Sequence, residues 1–448
     1  MQWIILLALL LAVLAVSTHA AYCNGVPDPG ERTNTLPTSA SNLKRVRSVK
    51  NGVLYHAGPE NARFPVVHVY GSAYEMGYAQ GELMGKDLSE FTHGVFHYLI
   101  DELGSSLPDK YPEIPDFMKE VILKRGIIFA LDLTIELTKP YTPASFYEEL
   151  QGIADAVPSV SFQTILRLQM LPEVTKAACS FFGSWGPASK GGKTLHMRSL
   201  DYDTDGPFRN FPQITVYHPA TGGGNAFANV GWPGTVGSLT GMNDQRMSIN
   251  EIGVSYPDDS FGQGTPDTPP EKLKGTPWML VVRNMLQGTS TLDAALQSVE
   301  QAHRTCNLIL GVSDGKAGHA YGIQYGGRVF NAYDDTNQLP VNATWHPVVP
   351  NMVYNGMDWL CPGYTSVLGA QLGKYRTVLE PANIIGNVLP TVQTGNLHIA
   401  VYDLTEDDMY LSFCRSAKAN ASEPMYAYER QFTQFHMSDL WNEPMPSL

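Results

Sequence analysis

The chain has 448 residues, of which 43% are hydrophobic and 16% are charged, and its formal net charge is −13 at pH 7. This apolar content is sufficient for a packed core, and the length predicts two structural units or one large one. The acidic balance excludes nucleic acid as an expected partner, because nucleic-acid-binding surfaces need clusters of Lys and Arg.

The N-terminal residues predict entry into the secretory pathway. Ile4 to Val16 is an unbroken apolar run, shorter than the roughly 20 residues that span a bilayer. Ser17-Thr-His-Ala20 follows it, with small residues at the positions that a signal peptidase reads, as expected of a signal peptide over residues 1–20. We therefore expect a secreted or lysosomal protein with no membrane-spanning segment after signal removal. The sequons at Asn342 and Asn420 predict N-glycosylation.

Five cysteines are present, which are Cys23, Cys179, Cys306, Cys361 and Cys414. In an oxidising compartment four of them can pair, in three possible ways, and one is left over. An odd cysteine is either buried and idle or a thiol with a chemical role. Composition alone does not say which cysteine is free.

The predicted secondary structure changes character at Cys179. Before it, Pro65 to Tyr70 is a short strand candidate, and apolar residues recur at helical spacing from Tyr74 to about Met170. After it, we predict strands at 191–198, 213–217, 247–251, 308–312 and 319–324, helices at 277–286, from 291 and at 367–379, and a hairpin at 396–402 and 409–413. This order predicts an α+β protein with two sheets and helices outside them.

Two motifs suggest other chemistry but lack its context. Gly311-Val-Ser-Asp-Gly315 matches G-x-S-x-G, yet a glycine-rich segment follows it where a nucleophile elbow needs a helix. A β-turn is the favoured interpretation. His93 and His97 have H-x-x-x-H spacing without the glutamate of a zinc-binding H-E-x-x-H motif. We predict no metal and no cofactor.

Cys179 has the setting of a nucleophile that becomes a chain terminus. A new α-amine on Cys179, with an ordinary pKa of about 7.7–8.0, could serve as the base for its own thiol. Arg198 could stabilise the thiolate, and Asp201 could hold the amine. The alternative for Arg198 and Asp201 is an ion pair on the surface.

Five segments together resemble one superfamily of N-terminal-nucleophile amidases, which includes bile salt hydrolases, acid ceramidases and penicillin acyltransferases. The run from Cys179 to Asp201 is similar to the start of the mature nucleophile chain. Segments 241–251 and 353–359 resemble later landmarks of this superfamily, in the same order, and the final hairpin matches as well. Residues 71–81 resemble the N-terminal signature of the penicillin-acyltransferase-like branch.

The resemblance implies an αββα sandwich, autoproteolysis between Ala178 and Cys179, a mostly helical N-terminal chain over 21–178 and a catalytic chain over 179–448. It assigns the following catalytic residues: Cys179 as nucleophile, Arg198 and Asp201 as its neighbours, Asn250 and Asn355 at the oxyanion, and Arg376 as a late arginine. The other cysteines, Cys23, Cys306, Cys361 and Cys414, are then the disulfide candidates, and Cys23 could link the two chains.

Two departures bear on the substrate. Met197 stands where relatives often have Gly, and Glu251 is not followed by the Arg common in ceramidases, which disfavours ceramide. The expected function is hydrolysis of linear N-acyl or lipid amides through a thioester, or transfer of the acyl group to an amine. Two alternatives stay open: an inactive secreted glycoprotein that acts by binding, and a phospholipase B-like lipid hydrolase.

Overall fold

The structure is a computed structural model that describes residues 25–27, 32–110, 116–174, 178–204, 206–253, 273–339, 344–356, 361–414 and 426–447. The predicted signal peptide, Cys23 and the glycosylation sites Asn342 and Asn420 lie outside these residues. Among the described helices, none is both long enough and apolar enough to cross a lipid bilayer.

Runs of strands and runs of helices follow one another along the chain. The strands are β1 Ser39–Ala40, β2 Lys44–Val49, β3 Gly52–Ala57, β4 Phe64–Gly71, β5 Ala178–Ser184, β6 Leu195–Asp201, β7 Gln213–Pro219, β8 Phe227–Gly231, β9 Thr240–Asn243, β10 Met247–Gly253, β11 Asn307–Asp314, β12 His319–Gly326, β13 Phe330–Tyr333, β14 Met352–Asn355, β15 His398–Asp403, β16 Asp408–Phe413 and β17 Thr433–His436.

The helices are α1 Ala73–Lys110, α2 Asp116–Thr138, α3 Ala144–Ala156, α4 Phe162–Val174, α5 Trp278–Gly288, α6 Leu292–Gln301, α7 Pro362–Tyr375, α8 Pro381–Asn383, α9 Leu389–Val392 and α10 Met437–Trp441, with a π-helical turn Ile384–Val388 between α8 and α9.

The strands form two sheets. One has ten strands in the order β13-β12-β11-β10-β9-β8-β7-β4-β3-β2, and the other has seven in the order β1-β17-β16-β15-β6-β5-β14. Most neighbours are antiparallel, but β4 pairs with β7, and β1 with β17, in parallel. The N-terminal region therefore supplies strands to both sheets, which the prediction of a mostly helical chain over 21–178 did not anticipate.

The two sheets pack face to face with helices on both outer surfaces. Between them, apolar residues of β4 and β7 such as Val66 and Val216 meet Ala400 and Leu411 of the other sheet. Helices α1 and α3 cover the outer face of the ten-stranded sheet, and α7 covers the outer face of the seven-stranded sheet. Fully burying one such Val or Leu contributes about 1.5–3 kcal/mol. The predicted α+β sandwich is confirmed.

Two predicted element boundaries were wrong because of local backbone conformation. The strand predicted at 191–198 begins only at Leu195, since Gly191 and Gly192 have φ of 72° and 75° and form a turn. The helix predicted at 367–379 is α7, which ends at Tyr375, and Thr377 just beyond it has a φ of 78°.

Candidate active site

The antiparallel pair of β5 and β6 brings the predicted nucleophile and arginine together. Ala178 lies opposite Asp201, Cys179 opposite Leu200, and Phe181 opposite Arg198. Because side chains alternate between the faces of a strand, Cys179 and Arg198 share one face, and Asp201 lies on the other. The face of Cys179 is turned toward the ten-stranded sheet, and we call it the inner face.

Arg198 is the centre of the inner face. Its Nη2 lies 3.4 Å from the sulfur of Cys179 and 3.5 Å from Oε2 of Glu251, a residue of β10 in the opposite sheet. Its Nη1 donates to Nε2 of His398 at 2.8 Å, and its Nε to the backbone oxygen of Glu251 at 3.4 Å. Both Cys179 and Arg198 are fully buried. Arg198 is therefore a buried cation in contact with a buried thiol, and its carboxylate partner is Glu251.

Burial is the main cause of the shifted pKa values of Cys179 and His398. It raises the pKa of the Cys179 thiol to about 12, because the thiolate loses its hydration; Arg198 opposes this shift and Glu251 adds to it. Burial, together with Arg198, holds the pKa of His398 well below its usual value. His398 is then a neutral acceptor for Arg198, and the Cys179 thiol stays protonated in the intact chain.

Asp201 lies on the opposite face of the strand pair, which we call the outer face. Its Oδ1 accepts from the backbone nitrogens of Gly395 and Asn396 at 2.8 and 2.9 Å, and its Oδ2 from the Thr394 hydroxyl at 2.9 Å. Burial raises the pKa of Asp201 to about 6 although these bonds oppose the shift. The expected alternative, a surface ion pair of Arg198 with Asp201, is wrong.

Both predicted oxyanion residues are buried near the inner face. Asn250 of β10 places its amide oxygen 2.5 Å from Nε2 of His196, and its amide nitrogen 3.4 Å from the Glu251 carbonyl oxygen that Arg198 also contacts. Asn355, at the end of β14, lies opposite Phe181 in the sheet, two residues from Cys179. The Tyr333 hydroxyl donates to its side-chain oxygen.

Arg376 is not part of this cluster. It follows the end of α7, where it donates to the Pro350 carbonyl at 3.1 Å and approaches Asn351 at 3.5 Å. Asn351 is bonded to the backbone of Trp185, six residues from Cys179 along an extended strand, which is roughly 20 Å away. The structure places Arg376 at the far end of β5.

The cysteine predictions have different outcomes. Cys179 is a buried thiol. Cys306 and Cys414 are also buried thiols, so the prediction of disulfides at these two positions is wrong. The Cys306 sulfur lies 3.3 Å from Oε2 of Glu173. Cys361 is buried immediately before α7.

The sequence did not predict Glu251 as a site residue, and it missed three further residues that contact the predicted site, which are His196, His398 and Thr394. His196 precedes Arg198 by two positions and so shares its strand face, which the period of two could have indicated. His398 and Thr394 come from a segment about 200 positions further along the chain, and no local pattern connects them to Cys179. Among the described residues, no group of His, Cys, Asp and Glu side chains is arranged to hold a metal ion.

Comparisons of the sequence find relatives whose names state no activity. No family model matches the chain. Protein dcd1A of Dictyostelium discoideum is 29% identical over 446 residues, which cover 96% of each chain. Protein dcd1B of the same organism is 29% identical over 411 residues, which cover 90% of this chain and 79% of dcd1B.

Comparison of the fold finds, among others, solved structures of an amidase, an acylase and a hydrolase at low similarity. A Caenorhabditis elegans ortholog of N-acylethanolamine-hydrolyzing acid amidase has a TM-score of 0.38 and 14% identity, covering 57% of this chain and 98% of its own. Penicillin V acylase from Agrobacterium tumefaciens has a TM-score of 0.35 and 13% identity, covering 52% and 83%. Conjugated bile acid hydrolase from Clostridium perfringens has a TM-score of 0.33 and 12% identity, covering 58% and 93%.

Proposed function

We propose that this chain is a secreted or lysosomal cysteine amidohydrolase that cuts itself between Ala178 and Cys179 and then hydrolyses linear N-acyl or lipid amides. The observation that supports this most is the 3.4 Å contact between the Cys179 sulfur and the buried guanidinium of Arg198. A buried cation beside a thiol stabilises the thiolate, which is the nucleophilic form.

Self-cleavage would convert an inert thiol into an active one. In the intact chain the nitrogen of Cys179 belongs to a peptide bond and cannot act as a base. Attack of the Cys179 sulfur on the carbonyl carbon of Ala178 moves the acyl group from nitrogen to sulfur. Water then hydrolyses the thioester, which leaves a carboxylate on Ala178 and an α-amine on Cys179. Asp201, opposite Ala178 in the sheet, could bind this amine.

The same atoms would then process a substrate. The α-amine of Cys179 takes the thiol proton while the sulfur attacks the substrate carbonyl, and Asn250 and Asn355 donate to the oxyanion. The amine returns the proton to the leaving nitrogen, and the C–N bond breaks. Water hydrolyses the thioester and restores the thiol, or an acceptor amine takes the acyl group.

The two product chains should remain associated after the cut. Strands β3 and β4 lie within the ten-stranded sheet, so their hydrogen bonds hold the N-terminal chain in place. Glu149 of α3 and Arg283 of α5 also form a buried ion pair with contacts of 2.6 and 3.1 Å. Disrupting one partner of such a pair costs about 3–5 kcal/mol.

A disulfide between Cys23 and Cys361 would add a covalent link between the chains. Among the described cysteines, Cys179, Cys306 and Cys414 are thiols and Cys361 is not. Gly25, two residues after Cys23, lies beside Gly363, where a Cβ on Gly25 would be 3.6 Å from the Gly363 Cα. We expect one band on a non-reducing gel and two on a reducing gel.

The decisive experiment is to sequence the N-termini of the purified protein. We expect a large chain beginning at Cys179, no cut in Cys179→Ala, and normal processing in Cys414→Ala, which removes another buried thiol. An intact wild-type chain, or a Cys179→Ala chain that is cut like wild type, would contradict self-cleavage. Expression in eukaryotic cells with glycosidase treatment tests secretion and the predicted glycans at Asn342 and Asn420.

Activity is tested with matched amides and esters that carry the same acyl group, at acidic and neutral pH. We expect amide turnover that Cys179→Ala abolishes. Turnover of esters alone would favour a phospholipase B-like lipid hydrolase. A cut chain that turns over neither class would favour a protein that acts by binding.

A further inference from the structure

The proposed mechanism leaves a buried chain of three polar side chains unexplained. Ser313, the serine of the G-x-S-x-G motif, lies inside β11, and its hydroxyl is 2.7 Å from Nδ1 of His196. Nε2 of the same ring is 2.5 Å from the side-chain oxygen of Asn250. All three residues are completely buried. The serine of this motif is therefore a hydrogen-bond partner of His196 and not a nucleophile.

The direction of these hydrogen bonds follows from their chemistry. An amide oxygen only accepts, so Nε2 of His196 must carry the proton. Burial lowers the pKa of His196 to about 4, which keeps the ring neutral above that pH. Nδ1 of a neutral ring protonated at Nε2 is an acceptor, and the Ser313 hydroxyl must donate to it. Each residue thus fixes the orientation of the next.

Asn250, at one end of this hydrogen-bonded series, faces the proposed reaction centre. An asparagine amide can present either its oxygen or its NH₂ to a site, and only the NH₂ can stabilise an oxyanion. With its oxygen held by His196, Asn250 directs its nitrogen toward the Glu251 carbonyl oxygen, on the same side as Arg198. Gly311, opposite Asn250 in the sheet, leaves room, since a Cβ there would lie 2.6 Å from the Asn250 oxygen.

We propose that His196 is a positioning residue for the oxyanion site: it holds the side-chain oxygen of Asn250 so that the amide nitrogen faces the reacting carbonyl, and Ser313 fixes its tautomer. This role rests on the proposed function, because it presupposes that Asn250 stabilises an oxyanion. The species that Asn250 would bind is the tetrahedral oxyanion formed from an amide or thioester substrate.

A double-mutant cycle tests the role by kinetics. His196→Leu should lower kcat by about 10- to 1000-fold with little change in KM, in the range of losing one oxyanion donor. In an Asn250→Ala background the same change should cost almost nothing further. His196→Gln, whose amide can still donate to Asn250, should recover part of the loss. Ser248→Ala, a buried serine directly opposite Ser313 in the sheet, is the control and should retain wild-type kcat.

A second measurement does not depend on activity or on the stability of a variant. In the wild-type protein labelled with ¹⁵N-histidine, His196 should give the neutral tautomer protonated at Nε2 between mildly acidic and neutral pH, and Ser313→Ala should alter its Nδ1 shift. Protonation at Nδ1, or losses that simply add in the cycle of an active wild type, would overturn the positioning role alone. A wild type without turnover dependent on Cys179 would overturn both the role and the proposed function.

Discussion

The charged groups on the two faces of the β5–β6 strand pair differ in how closely they are bonded. On the outer face, the three hydrogen bonds that Asp201 accepts measure 2.8 to 2.9 Å. On the inner face, Arg198 donates to His398 at 2.8 Å but approaches Cys179 and Glu251 only at 3.4 to 3.5 Å. The outer carboxyl is therefore closely bonded, whereas the long contacts of the inner cation with Cys179 and Glu251 leave it able to bind new charge.

The largest effect should come from removing the inner cation. Arg198→Met removes a buried cation from its contacts with Glu251 and His398, which should destabilise the protein by about 3–5 kcal/mol. It also removes the group that opposes the rise of the Cys179 pKa, so alkylation of this thiol should slow. Denaturant unfolding and mass spectrometry of the labelled peptide measure the two effects.

Arg283→Met is the matched control for that experiment. It breaks the buried pair with Glu149, far from the thiol in sequence, and should cause a similar loss of stability without slowing alkylation of Cys179. Equal alkylation rates for Cys179 in the two variants would show that Arg198 does not act on the thiol.

The next largest effect concerns the outer face and pH. Burial raises the pKa of Asp201 from its usual 3.8 to about 6, so the stability associated with its protonated form is fully present below pH 4 and is lost as the pH rises through 6. The loss corresponds to about 3 kcal/mol. Asp201→Asn cannot ionise, so its free energy of unfolding relative to wild type should rise by this amount between pH 4 and 7.

Asp132→Asn is the control, because the pKa of this carboxyl is shifted in the opposite direction. The guanidinium of Arg167 lowers the pKa of Asp132 below its usual 3.8, so the stability that its ionised form contributes is present above pH 4 and is lost only at lower pH. The difference in unfolding free energy between this variant and wild type should therefore stay nearly constant between pH 4 and 7. Parallel pH curves for wild type and Asp201→Asn would contradict the assignment.

A smaller effect is expected from Thr394→Val, which removes a hydroxyl that donates to Asp201 and also contacts the Ser180 hydroxyl at 3.0 Å. The unfolding free energy should fall by about 1–3 kcal/mol, because a buried acceptor loses its donor. Thr394→Ser should restore most of it. Because the change lies on the outer face, alkylation of Cys179 should keep its wild-type rate, and a slower rate would show that the two faces are coupled.

The smallest effect should come from Arg376→Ala. This side chain is partly exposed, and it donates to the Pro350 carbonyl at 3.1 Å and approaches the Asn351 side chain at 3.5 Å. Unfolding free energy should change by about 0.5 kcal/mol or less, and amide turnover should equal that of wild type. A large loss of turnover would restore the sequence-based assignment.

The local sequence pattern predicted individual strands, but it did not predict which distant side chains contact their residues. The alternation of the strand already separates Arg198 from Asp201, because an odd spacing of three puts them on opposite faces. The two-sheet architecture followed from the order of strands and helices. The partners Glu251, His398 and Thr394 could not be predicted, because they depend on packing between segments about 50 to 200 positions apart.

Backbone conformations that break a pattern account for the misplaced boundaries. The run before Arg198 has a strand-like composition, yet Gly191 and Gly192 turn the chain before β6 begins. The prediction of Arg376 within a helix failed for a similar reason, since α7 ends one residue earlier. The disulfide predictions at Cys306 and Cys414 rested on the number of cysteines, and that number does not indicate which sulfur atoms lie close together.

The parallel pairing of β1 with β17 joins Ser39 to Thr433. The segment that holds Thr433 must therefore be synthesised before the seven-stranded sheet can acquire its last strand, and contacts of such long separation form slowly. After a cut at Ala178 and reduction of the proposed Cys23–Cys361 disulfide, these two strands would lie on different molecules, so refolding after denaturation would become a bimolecular reaction. Under reducing conditions the uncut polypeptide alone would then assemble at a rate independent of concentration.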